Sequence, residues 1–408
     1  MACEGELLPG LPDEVALRCL ATLPLDALAR CRSLSRSWAS ALSLPLPSRP
    51  PLPFACLCTA HVNSRRESFW TWLFLTPSHH SRPHIVPFYR FPSPPRPTRL
   101  HALSSQTQVI TTGTNLLLVR SRLELTDRAD RLWLRGNGKV AGLLIGGNDA
   151  SAPGALQGFD VWQMKWCREI NRVVPCMHVD RWGFATAHVG MHVYVAGGEG
   201  PAAARSAERL NMETGLWEML PEMRYERSVN PAGFVLGGCF YVAGGEFQPT
   251  ACTEGRGLSQ SGEYYDPKKG VWTLVEGMWP EELWGYGEGD PNVVVVKDVA
   301  YALSHGPSTR STEVMMLSVV RGQKWEVRGR LPHVPGFDLV EGSFLHLVSV
   351  NDDELWVVIS GMADRPWLVY ACKPHLSADD GLLNWEHRPF TIPLSIPYFV
   401  LASVGIHI

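Results

Sequence analysis

Apolar and polar positions along the chain follow two different rhythms. Up to residue 42 the apolar residues recur at helical spacing: Leu17, Leu20 and Leu23, then Leu25, Leu28 and Cys31, then Leu34 and Trp38 four apart. This spacing predicts three short helices. Pro12 suits the first turn of the first helix, and Asp13 and Glu14 sit where the helix dipole favours negative charge. Pro24 opens the second. Beyond Gln108 the rhythm changes to short runs of β-branched and aromatic residues, broken by glycine and by charged stretches, which predicts strands.

One hexapeptide organises that second part. Tyr-Val-Ala-Gly-Gly-Glu occurs at Tyr194–Glu199 and again at Tyr241–Glu246, 47 residues later. Each copy follows a short apolar run and precedes a charged or aromatic strand (Ala207–Leu210; Gly262–Asp266), then a tryptophan (Trp217; Trp272) opening another strand. Four short strands per repeat of this length mark a propeller blade rather than a helical solenoid. The glycine pairs let the backbone turn sharply and pass where any Cβ would collide. The tryptophans are expected to pack between blades. The arrangement resembles the kelch repeat, in which a diglycine ends the second strand and a tryptophan opens the fourth.

Tryptophans 166, 217, 272, 325 and 385 mark five such units. The first is irregular, with Gly146-Gly147 as a partial echo, and the last two lack the diglycine. The stretch Phe69–Leu75 begins strands that lack a first partner, while Tyr398-Phe399-Val400-Leu401 is an apolar tail with no unit of its own. Joining the two would close the ring without an open sheet edge. Six blades are expected, with five or seven as alternatives. The domain plan is therefore a helical region over 1–43, a proline-rich linker over 44–68 and a mostly β propeller over 69–408.

The helical region carries a second resemblance. Leu-Pro-Gly-Leu-Pro-Asp-Glu-Val at 8–15, Leu-Pro at 23–24 and Cys-Arg-Ser-Leu-Ser-Arg-Ser-Trp at 31–38 closely resemble the F-box. Ser35 departs from the family pattern and is expected to weaken the third helix slightly. The resemblance implies docking on the Skp-type adaptor of a cullin-based ubiquitin ligase. It assigns that contact to Leu8, Pro9, Leu11, Pro12, Val15, Leu20, Leu23, Pro24, Leu28 and Trp38. An amphipathic helical hairpin used for oligomerisation is the alternative. So short a region buries little surface by itself and gains stability by docking.

Composition narrows the chemistry. The chain has 408 residues, 45% of them hydrophobic, with 15 tryptophans and 37 glycines, enough for one large domain and a small one. A net charge of −3 gives no general pull towards nucleic acid or membrane. Residues 61–135 hold eleven arginines, no lysine and four acidic residues, a set better read as solvated charge around a blade than as a nucleic-acid patch. No run of about 18 apolar residues exists to span a bilayer. The acidic start, Met-Ala-Cys-Glu-Gly-Glu, lacks the features of a signal peptide, so a cytoplasmic or nuclear location is expected. The ten cysteines contain no Cys-x-x-Cys pair and are expected to be reduced thiols; no metal or other cofactor is expected. His79-His80 reads as polar surface.

No P-loop, dinucleotide fingerprint, Gly-x-Ser-x-Gly or His-Glu-x-x-His occurs. The Glu-x-x-x-Asp iron motif of kelch-fold specifier proteins is also missing, and copper oxidases on this fold resemble secreted proteins. A non-catalytic adaptor is expected, resembling the F-box/kelch-repeat proteins common in plants, with a target protein held by the propeller loops; a kelch scaffold unconnected to ubiquitin is the alternative. Strand order places Arg181, Trp182, Glu199, Arg227, Glu246, Trp284 and Tyr286 near one rim, the expected target surface. Arg181 and Arg227 either fork an acidic element of the target or tie loops together inside the propeller.

Overall fold

The computed structural model describes residues 7–23 and 25–42, then the backbones of strands between 53 and 167. From 177 onwards it describes the chain apart from connections at 248–256, 280–292, 305–314, 321–324, 333–343, 361–367, 375–382 and 390–398 and a few short gaps (180, 182–183, 201, 212, 229–230, 259, 351–352, 408).

Three helices open the chain: α1 (Asp13–Ala21), α2 (Leu25–Cys31) and α3 (Arg36–Ala41). Before α1, Leu8-Pro9-Gly10-Leu11 makes a tight turn in which the Leu11 N–H donates to the Leu8 carbonyl at 3.0 Å. Proline pre-sets the first central position of such a turn. Glycine supplies the second, with φ +79° at Gly10. Pro12 then caps α1, and the Asp13 carboxylate accepts from the Leu7 N–H at 3.0 Å. Ala16 and Leu20, four apart on one face of α1, are buried, as are Leu28 and Leu42. Ser35 does not weaken α3. It is the N-cap, in extended conformation, and its Oγ accepts from the Trp38 N–H at 3.2 Å, satisfying a helix-end donor.

The rest is β. In chain order the strands are β1 (Pro53–Val62), β2 (Ser68–Thr76), β3 (His84–Tyr89), β4 (Gln108–Thr112), β5 (Asn115–Leu125), β6 (Leu132–Ala141), β7 (Gly158–Asp160) and β8 (Lys165–Cys167). Then come β9 (Ala185–Val189), β10 (His192–Ala196), β11 (Ala207–Asn211), β12 (Trp217–Met219), β13 (Ala232–Leu236), β14 (Cys239–Ala243), β15 (Glu246–Phe247) and β16 (Gly257–Leu258). β17 (Gly262–Asp266), β18 (Val271–Val275), β19 (Val293–Val296), β20 (Val299–Ser304), β21 (Met315–Val320) and β22 (Glu326–Arg330) follow. The last are β23 (Phe344–Val350), β24 (Glu354–Ser360), β25 (Leu368–Cys372), β26 (Glu386–Pro389) and β27 (Phe399–His407).

Among the described residues these strands form six antiparallel sheets of four or five strands. Sheet 1 is β27-β1-β2-β3. Sheet 2 is β4-β5-β7-β8, with β6 on β5. Sheets 3 to 6 are β9–β12, β13-β14-β17-β18, β19–β22 and β23–β26. The first strands β27, β4, β9, β13, β19 and β23 lie side by side in a closed series, the arrangement of a β-propeller. β15 and β16 form a small ladder in the connection between β14 and β17.

Sheet 1 pairs the C-terminal strand with the N-terminal three, the closure expected from the apolar tail. The linker is shorter than 44–68, however. Pro53–Val62 is a strand paired on one side with β2 and on the other with β27, because Phe54, Ala55, Cys56 and Leu57 form an apolar run that can add to a sheet. Trp133 falls in β6, and the Gly146-Gly147 echo lies outside the described residues.

Period-two alternation joins sheet to sheet. On β14, Phe240 and Val242 face sheet 3 and pack with Ala185, Tyr194, Ala196 and Met223; Tyr265 joins them from β17. The alternate residues Cys239, Tyr241 and Ala243 face sheet 5 and pack with Ala300, Ala302, Val319 and Trp325. Strand β14 is therefore buried on both faces and reads as a continuous apolar run. A third core, with Val296 and Tyr301 against Leu347, Val357, Ile359 and Tyr370, joins sheets 5 and 6. The tryptophans serve these seams. The Trp325 ring lies 6.2 Å from Phe234 and 5.8 Å from Trp279, and Trp272 donates Nε1–H to the Pro221 carbonyl at 2.7 Å. At the diglycines, Gly197 (φ +67°) and Gly244 (φ +69°) admit no side chain: a Cβ would stand 2.6 Å from the Arg227 carbonyl oxygen and 2.8 Å from the Trp279 indole nitrogen, respectively.

Candidate functional site

Two surfaces present exposed side chains suited to contact with a partner. The first is on the helical region. Leu11 is 36% exposed, Val15 41% and Leu34 69%. Pro9 and Pro12 are exposed beside them, and Leu8, Leu23 and Trp38 are half-buried. Taking a fully exposed apolar side chain of this size out of water is worth roughly 1.5–3 kcal/mol, and covering the part left exposed here returns a corresponding fraction, so these residues are suited to docking. Leu20 and Leu28, by contrast, point inwards and cannot meet a partner; they belong to the interior because helical spacing puts them on the buried faces of α1 and α2. Pro24 lies outside the described residues. Leu34 is the addition: the sequence placed it on the face of Trp38, and at 69% it is the most exposed large apolar side chain among the described residues.

The second surface is the propeller end formed by connections from second to third strands and from one sheet to the next. Here the expected arginines are corrected. Arg181 and Arg227 are fully buried and contact no target. Arg181 Nη1 donates to the carbonyls of Gly197 and Ser206, both at 2.9 Å; Nη2 donates to Ser206 Oγ at 2.8 Å and to Glu208 Oε1 at 3.0 Å. Arg227 repeats the pattern one sheet later, through Gly244 and Ser261 carbonyls, Ser261 Oγ and Glu263 Oε1. The partner carboxylates also accept backbone N–H groups: Glu208 from His178 and Val179, Glu263 from Arg224 and Tyr225. Burial lowers both guanidinium pKa values from their usual position, and the carboxylates oppose that shift. The units are also linked in series, since the Gly198 N–H donates to the Arg227 carbonyl at 2.8 Å.

Sequence reasoning missed the acidic halves. The signal was present as Ser206-Ala-Glu208 and Ser261-Gly-Glu263, at the same place in both repeats. Of the other expected rim residues, Glu199 is half-buried, and Glu246 opens β15, where its backbone pairs with Leu258. Trp182, Trp284 and Tyr286 lie outside the described residues. Among the described rim residues Arg205, Glu222, Arg224 and Tyr225 are exposed; Arg205 pairs with Glu222 at 3.5 Å, and the Arg224 guanidinium lies 5.9 Å from the Tyr225 ring centroid. A groove beside them is lined by Arg205, Pro221, Met223, Val271, Trp272 and Leu274. Among the described residues no three His, Cys, Asp or Glu side chains stand together as a metal site. No described helix is long and apolar enough to cross a membrane.

Comparison with known proteins agrees with both halves. A family model for the F-box domain matches residues 8–47, and one for the Kelch motif matches residues 181–224. The F-box/kelch-repeat protein SKIP20 of Arabidopsis thaliana is 28% identical over 321 residues, covering 68% of this chain and 68% of that protein. A second Arabidopsis thaliana F-box/kelch-repeat protein is 30% identical over 303 residues, covering 67% of this chain and 66% of the relative. The chain thus spans about two thirds of the length of these relatives. Among solved structures YjhT is similar at 14% identity with a TM-score of 0.38, over 56% of this chain and 70% of that one. With F-box helices ahead of kelch-type blades and relatives of the same build, the chain belongs to the plant-type F-box/kelch-repeat family.

Proposed function

We propose that the chain is the substrate-recognition subunit of a Skp–cullin–F-box ubiquitin ligase. The exposed apolar edge of Leu11, Val15 and Leu34 carries the proposal. The propeller buries its own apolar seams, whereas this edge lies open within the segment matched as an F-box. F-box domains generally bind Skp-type adaptors, and kelch propellers bind target proteins. Here the edge would dock on the adaptor, and through it on a cullin, while the rim around Arg205, Arg224 and Tyr225 holds a target protein. The subunit makes and breaks no bond. It raises the effective concentration of target lysines near a ubiquitin-charged enzyme. It acts in the cytoplasm, the nucleus or both.

The test is capture from cells in which the proteasome is inhibited. Proteins retained by the full chain should accumulate ubiquitin, and removal of residues 1–42 should abolish the modification while retention continues. Ubiquitin levels that ignore the helices would refute the proposal.

A further inference from the structure

Strand β18 ends sheet 4, pairing with β17 on one side and with no described strand on the other. The connection that leaves β12 runs beside it. Near its start the Pro221 carbonyl accepts from Trp272 Nε1–H at 2.7 Å. Further on, the Arg224 and Tyr225 N–H groups donate to the Glu263 carboxylate at 2.7 and 3.1 Å, and Glu263 pairs with Leu274 across the sheet. Residues 221–224 therefore travel alongside β18 from the level of Trp272 to that of Leu274, and the groove lies between these two walls. It follows the edge of β18 rather than one face of the sheet. Side chains alternate between faces along a strand, yet Val271, Trp272 and Leu274 all line the groove.

The floor is apolar and partly open to water. Val271 is 48% exposed, Pro221 is exposed, and Trp272 and Leu274 are half-buried. The groove's volume of about 340 Å³ is at the low end for a small-molecule site. Its charges nearly cancel. Arg205 donates Nε–H to the Met223 carbonyl at 3.0 Å and pairs with Glu222 at 3.5 Å, while Glu263 is held by Arg227. Arg224 is exposed and makes no ion pair among the described residues. One uncompensated cation thus stands at the Leu274 end of an apolar trough.

Resting on the ligase reading above, we propose that this groove receives an extended acidic segment of the target protein, which adds to β18 as a fifth strand of sheet 4. An edge strand presents backbone N–H and C=O groups that a further strand can pair with. Alternate side chains of the segment cover Val271, Trp272 and Leu274, and a carboxylate of the segment accepts from the Arg224 guanidinium in a charge-assisted pair. A free anion would engage Arg224 alone and leave the apolar floor wet. A segment of alternating apolar residues with an acidic one at the Arg224 end satisfies the floor, the edge and the cation together.

The experiment selects peptides from a random-sequence display library on the purified full chain and measures the selected peptides, made synthetically, by fluorescence anisotropy. They should share an acidic position next to alternating apolar ones. Arg224→Glu should weaken their binding roughly tenfold or more, and Val271→Arg should do the same by filling the trough, with both melting temperatures unchanged. A third measurement needs no variant. Only alternate N–H groups of an added strand face its neighbour, so N-methylation of one alternate set of peptide nitrogens should abolish binding to the wild type while the other set is tolerated. Undiminished binding by Arg224→Glu, equal effects of the two N-methylated sets, or selection of no acidic peptide would overturn the proposal. These readouts do not involve the adaptor, so their failure leaves the ligase reading to the ubiquitin experiment above. Failure of that experiment with peptide binding intact would instead overturn the ligase reading and the occupant's identity as a ubiquitination target.

Discussion

Arg227 and Glu263 meet at 3.3 Å with both side chains buried, one sheet after Arg181 and Glu208 meet at 3.0 Å in the same way. Each guanidinium gathers a diglycine carbonyl, a serine and a glutamate from one sheet, and each glutamate fastens the incoming backbone. Two copies of one network at the same place in two repeats mean that these residues hold the loop end in shape rather than greet a partner.

Arg227→Met should therefore cost about 3–5 kcal/mol of stability, because Glu263 is left as a buried, uncompensated charge. The double change Arg227→Met with Glu263→Gln should recover part of the loss. Urea unfolding of the four proteins in the cycle measures the coupling directly. Additive losses would show that the two side chains do not act together.

Deleting residues 397–408 should destabilise the propeller as a whole. The deletion removes β27, so β1 loses its partner along the register from Pro53 opposite His407 to Ala60 opposite Phe399. An open edge and a broken ring cost several kcal/mol against a typical total of about 5–15. Thermal unfolding reports the loss, and a wild-type melting temperature in the truncated chain would contradict the shared sheet.

The propeller was legible because its cores repeat. Tyr194 and Tyr241, the glycines after them and the tryptophans recur at matched positions, and short apolar runs bounded by polar turns survive even where the diglycine is lost, as in Val293–Val296 and Leu355–Ile359. Strand β1 was hidden by its prolines: Pro50, Pro51 and Pro53 read as spacer, although the strand starts at the last of them, where a proline is tolerated. The rim was misread because a charged residue in a connection is ordinarily solvated, and only the network shows that Arg181 and Arg227 turn inwards. On the helices, spacing predicts faces but not which face a partner covers; hence Leu20 and Leu28 exchange places with Leu34.

Ser35→Ala should cost about 1 kcal/mol locally, since the Trp38 N–H loses its capping oxygen. The propeller has its own cores, so its melting should not change. Amide hydrogen exchange over residues 36–41 should speed up, and unchanged protection there would argue that the cap contributes nothing.

The docking edge is tested most directly by calorimetric titration of the purified full chain with a Skp-type adaptor. The wild type should bind one adaptor with a negative heat-capacity change, the mark of apolar burial. Leu34→Asp should abolish that binding with the propeller's melting unchanged, because the aspartate would have to be desolvated to dock. No binding by the wild type, or equal affinity in the variant, would contradict an adaptor surface built on Leu11, Val15 and Leu34.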